Sequence, residues 1–229
     1  MKKIAMLLAG LALFSNAQAT VYQYDFTATI QEMVEFSPLT FSGGSVTSSS
    51  LSGNLVAVGD VVHGQFSYDT ATGVFLQLGS TALYSAAGSQ NGISASIGGH
   101  DLALANTVYS NSNVQVANNA GVLKGGDGFG VSNVALNGAA KQIMSVSFVD
   151  KSGHALSSNA VPGALDFVDF TKASFSYLYT STQTGALVGA NGDLTSVTVT
   201  SAVPEPETYG MLLAGLGLVA FAARRKQRA

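Results

Sequence analysis

The sequence predicts an all-β protein, an antiparallel β-sandwich or jelly-roll-like domain flanked in the chain by one apolar helix on each side. Three observations point there. Apolar residues recur at every second position in several short runs. Gly, Asn, Asp and Ser cluster between those runs. Charged residues are only 10% of the chain, against roughly 25% in an ordinary soluble domain. That poverty of charge argues against a long helix-rich enzyme and against charge-driven disorder. With 229 residues in all, about 184 remain between the flanking helices, enough for one domain with a real core.

The first element is an address. Met1-Lys2-Lys3 is a basic start, Ile4 to Phe14 is apolar apart from Gly10, and Ala17-Gln18-Ala19 places small residues at the two positions a signal peptidase pocket reads. The apolar stretch is short of the about 20 residues a membrane span needs. Residues 1–19 are therefore expected to be a signal peptide, cleaved after Ala19.

Residues 20–202 then read as strands. Tyr22, Tyr24, Phe26, Ala28 and Ile30 share one face, with Gln23, Asp25, Thr27 and Thr29 on the other. Val61 to Tyr68 repeats the pattern, and Asp69 to Gly73 supplies turn residues, so Val74 to Leu78 is expected to return as its hairpin partner. Ser42 to Ser52 reads as a flexible loop. Further strands are expected around Ile93–Ile97, Val114–Val116, Met144–Phe148, Phe175–Tyr179 and Val197–Val199. Asn91-Gly92, Asn137-Gly138 and Asn191-Gly192 are suited to two-residue hairpin turns. Helix candidates at Leu102–Ala105 and Ala139–Ile143 are too short to change the class.

The tail is three devices in series. Val203, Pro204, Glu205 and Pro206 form an extended segment poor in amide donors. Next come Tyr209, Gly210, Met211, Leu212, Leu213, Ala214, Gly215, Leu216, Gly217, Leu218, Val219, Ala220, Phe221, Ala222 and Ala223, without a charge. As a helix this run reaches about 22 Å, a short transmembrane span needing some thinning of the bilayer. Arg224, Arg225, Lys226 and Arg228 close it and hold the terminus in the cytoplasm. In order, spacing and position, residues 203–229 resemble a PEP-CTERM sorting signal. The resemblance implies recognition by an exosortase, a membrane cysteine transpeptidase-like enzyme, with cleavage near Pro204-Glu205-Pro206. It also implies a Gram-negative host that makes extracellular polysaccharide. Val58–Asp69 and Asp127–Val131 loosely resemble strand signatures of the exported domains that carry such tails.

Between the signals the charge is lopsided. Four lysines face eleven acids from residue 20 to residue 203, net −7, and every arginine lies after residue 223. Phosphate backbones need Lys or Arg, so nucleic acid is excluded as a partner. With no cysteine, disulfides, thiolate metal sites and thiol nucleophiles are excluded too. His63, His100 and His154 lack metal-ligand spacing. Glu32 and Glu35, an odd distance apart on a strand, point to opposite sides, and Asp166 and Asp169 need a turn to meet. Gly125 to Gly130 begins like a calcium β-roll repeat but has glycine where the aspartate belongs, so a glycine-rich turn is expected. No catalytic residue, metal ligand or cofactor is assigned. The expected function is a non-enzymatic exported protein, processed by signal peptidase and exosortase. It passes through the inner membrane as a precursor to the cell surface or extracellular matrix, associated with exopolysaccharide in biofilm. The rival readings are a secreted polysaccharide-active hydrolase and a calcium- or small-ligand-binding envelope module.

Overall fold

The computed structural model describes residues 20–85 and 91–204, together with Leu216. The signal peptide expected at 1–19, with Ala17 and Ala19, lies outside the described residues, as do Glu205, Pro206, the basic end and the expected apolar span apart from Leu216. Among the described residues no helix is long and apolar enough to cross a membrane.

Fourteen strands follow one another among the described residues: β1 (Thr20–Ser37), β2 (Ser42–Val46), β3 (Ser48–Ser49), β4 (Val56–Ala57), β5 (Val61–Asp69), β6 (Val74–Leu78), β7 (Thr81–Ser85), β8 (Gly92–Ile97), β9 (His100–Asp101), β10 (Tyr109–Ala120), β11 (Gly126–Leu136), β12 (Ala140–Asp150), β13 (Lys172–Ser181) and β14 (Leu187–Pro204). The all-β class holds. Among the described residues twelve strands form one antiparallel sheet, ordered β6-β7-β10-β11-β12-β13-β14-β1-β5-β8-β9 with β2 on the side of β1. β3 and β4, among the described residues, form a second, two-stranded sheet.

The layers arise because this sheet folds over on itself. Its middle, β14 and β1, is 18 residues long in each strand and carries three register shifts. Thr200 and Thr195 are the extra residues on β14, and Gln31 is the extra residue on β1. Each such bulge bends its strand and increases the twist. The two threonines also repair the ladder they interrupt: Thr195 Oγ1 donates to the Thr27 carbonyl (3.2 Å) and Thr200 Oγ1 to that of Gln23 (3.0 Å). After the bend, β5 and β8 lie over β11 and β12. Ring pairs join the layers, Phe66 to Phe148 at 5.8 Å, Tyr68 to Phe129 at 4.9 Å and Phe26 to Phe175 at 5.8 Å.

Four sequence expectations are corrected. β6 pairs with β7, not with β5, because the chain turns back at Gly79, whose φ of 59° suits a tight turn. Residues 42–46 form β2, paired with the end of β1, instead of a flexible loop. Asn191-Gly192 lies inside β14 at the Gln31 bulge, where a Cβ on Gly192 would stand 2.1 Å from the Thr29 carbonyl oxygen. The glycine serves close strand approach there, not a turn. Residues 140–143 are strand, their inward alternation outweighing local helix preference. Asn137-Gly138 does turn β11 into β12, with Asn137 Oδ1 accepting from the Ala139 and Ala140 amides.

Candidate functional site

The sorting segment is built onto the folded domain. β14 pairs with β13 only as far as Asp193, and from there to Pro204 it is held by β1 alone. Val203 lies opposite Val21 and Pro204 opposite Thr20. A proline is tolerated there because that stretch has no partner on its other edge. The two ends expected to be cut therefore lie on neighbouring strands at one end of the sheet. Between Pro204 and the expected span at Tyr209, four residues reach at most about 14 Å.

The residues considered for catalysis do not converge. Glu32 and Glu35 lie on opposite sides of β1. Asp166 caps the short 3-10 turn Phe167–Asp169 by accepting from the Val168 amide (3.2 Å), and both Asp166 and Asp169 are exposed. His100 and His154 are exposed, while His63 reaches Thr27 Oγ1 at 3.5 Å on the outer side of β5. Among the described residues no group of three His, Asp or Glu is placed to hold a metal ion.

A different pair of acids is buried. Asp127 and Asp150 face each other across β11 and β12, 0% and 1% exposed. Asp127 accepts from the amides of Asn119 and Leu156, both at 2.8 Å. Asp150 accepts from the Ser152 hydroxyl (2.6 Å) and from the Ser152 and His154 amides (both 2.9 Å). The Ser152 hydroxyl, then the His154 and Ser152 amides, hold the Asp150 carboxyl well below the usual aspartate range. Their oxygens are engaged by this chain, so the pair clips the loop after β12 to the sheet. The other end of that loop is tied to a buried tyrosine pair: Tyr68 donates to the Gly163 carbonyl (2.7 Å), and the Leu165 amide donates to Tyr24 (3.3 Å). Burial, and then the Tyr24 hydroxyl, push the Tyr68 phenol far above its ordinary range.

Inward-facing residues form rows across β10 to β13. Val116, Phe129 and Phe148 align in one row and Val114, Val131, Val146 and Phe175 in the next. Then the rows turn polar and small: Ser112, Asn133 and Met144, followed by Ser110, Ala135 and Gln142. The layers are consequently underfilled at this end, and a cavity of about 820 Å³ opens there. Its outer lip carries Asp25, His63 and Gln65, which alternate to the other side of β1 and β5. Among the described residues two buried side-chain atoms lack a hydrogen-bond partner, Asp25 Oδ1 and Gln142 Oε1. Both residues line this cavity. The sequence carried the signal as polar residues at inward positions, legible only once strand registers are known.

Comparison with known protein families finds the PEP-CTERM protein-sorting motif at residues 202–226. That match begins one residue before Val203 and takes in Arg224, Arg225 and Lys226, stopping short of Arg228. It marks an exosortase-targeted, exported chain that is anchored in the membrane before cleavage. No curated protein and no solved structure matches the chain.

Proposed function

We propose, from the PEP-CTERM motif at residues 202–226, that this chain is a non-enzymatic protein of the cell surface or extracellular matrix, associated with exopolysaccharide in biofilm. The carrying observation is the direct continuation of the folded sheet into that motif at Val203-Pro204. Signal peptidase frees Thr20, the basic end stops transfer, and exosortase then releases the domain near Pro204-Glu205-Pro206. A domain of net −7 rich in hydroxyl and amide side chains suits a hydrated, uncharged polymer better than an acidic one. The finer fold reading, a sandwich-like exported domain, is supported by the facing halves of the folded sheet.

Cell fractionation tests the destination. In the native host the protein should appear in the surface and matrix fractions, and in a strain lacking exosortase it should accumulate in the inner membrane at full length. Identical distribution in the two strains overturns the reading. Purified host polysaccharide should retain the wild-type protein, and failure to retain it removes the matrix association.

A further inference from the structure

We propose that the β6 edge of the large sheet is a contact between two copies of this chain, paired antiparallel about a two-fold axis at Gln77.

The first ground is an edge with little to guard it. β6 pairs with β7 and, among the described residues, with no other strand, so its outer row of amides and carbonyls is open. Its apolar side chains are open as well: Val74, Phe75, Leu76 and Leu78 are between 44% and 70% exposed. Such an edge is a template for another strand unless charge or proline blunts it, and β6 has neither. It lies in the longest uncharged stretch between residues 20 and 203, which takes in residues 70–99.

The patch does not end at the strand. β6 bulges at Phe75, and beyond the bulge Leu76 and Leu78 lie opposite Leu83 and Thr81 of β7, on the outer side of the sheet. Leu83 in turn lies opposite Gln115. Gln115 borders a hollow of about 150 Å³ walled by Val122 and Leu123. An exposed apolar corner of this kind marks an interaction site.

Charge and symmetry name the occupant. The domain is net −7, so a second copy meets least repulsion where neither surface carries charge. Antiparallel pairing centred on Gln77 sets Leu76 of each copy opposite Leu78 of the other. It also brings the two Gln77 amides together, and each can both donate and accept. The far end of the sheet offers no rival mate. β9 is two residues long, exposed, and carries Asp101, so β6 stacked on β9 gains a two-residue ladder and no apolar cover. A two-fold contact closes at two copies.

The test uses the full chain in detergent, which has no cysteine of its own. Gln77→Cys should link to itself under mild oxidation, and Leu76→Cys mixed with Leu78→Cys should link too. Leu76→Cys alone should not. Its two copies lie diagonally, about 7–8 Å apart, past the roughly 7 Å between Cα atoms that a disulfide allows. This dependence on position separates the edge from any contact made through the tail. In sedimentation velocity, Gln77→Lys and Gln77→Glu should each weaken association at least tenfold, and mixing the two should restore it. Should a Gln77 variant misfold, Leu78→Lys puts a charge against the same apolar row and should show the same loss. Wild-type protein that stays monomeric up to about 100 μM overturns the proposal. So does equal linking at Gln77→Cys and Leu76→Cys, or a charge-swapped mixture no more associated than its parts.

Discussion

Gly64 lies beneath the Phe26 ring, and a Cβ there would stand 2.4 Å from Phe26 Cζ and 2.6 Å from the Ser94 carbonyl oxygen. Backbone cannot yield as a flexible side chain can, so Gly64→Val should cost about 3 kcal/mol, read as a lower denaturant midpoint with an unchanged slope. Asp150 makes a prediction about acid. Its carboxyl is held below its unfolded value of about 3.9 by donors that need the charged form. The stabilisation is complete above that unfolded value and is lost as pH falls through it toward the folded one. Denaturation midpoints should therefore be flat near neutrality and fall below about pH 4, and Asp150→Asn should flatten that acid limb. Neither residue was legible beforehand: a glycine on a strand and an aspartate at a strand end look ordinary until the partner strand is known.

At the scale of elements, alternation told strands from everything else, and the face of β1 carrying Tyr24, Phe26, Ala28 and Ile30 is the buried one. Partners were another matter. Nothing local distinguishes β7 from β5 as the mate of β6, since both are short, alternating and one turn away. β6 is itself an exposed edge: Val74, Phe75, Leu76 and Leu78 face solvent, and residues 70–99 hold no charge to guard it. Such an edge invites pairing with another chain, so Leu76→Lys should reduce concentration-dependent association measured by light scattering. The terminal pairs of β1 and β14 carry a second prediction. Exosortase cleavage near Pro204 is expected to take that segment as a free extended strand, and Val21 and Thr20 hold its start. Weakening that hold by about 1 kcal/mol with Val21→Gly should shorten the half-time of precursor cleavage in a pulse-chase by up to about fivefold. An unchanged half-time would mean that the enzyme takes the segment without unpairing it.

Over the whole molecule, the legible parts are those whose chemistry is local. Residues 202–226 match as a linear string of prolines, apolar residues and basic residues, and a string can be read without a fold. The middle works by registers, as in the row that brings Gln142 beside Ala135 and Ser110, and the folding-over of the sheet depends on bulges at Gln31, Thr195 and Thr200 that no composition announces. The last segment is thus expected to be a detachable address on an exported sheet. Intact mass measurement of the mature protein from its host tests it most directly. A chain starting at Thr20, ending near Pro204 to Pro206 and lacking Arg224, Arg225, Lys226 and Arg228 is the result expected. Mature surface protein still carrying those four cations would contradict it.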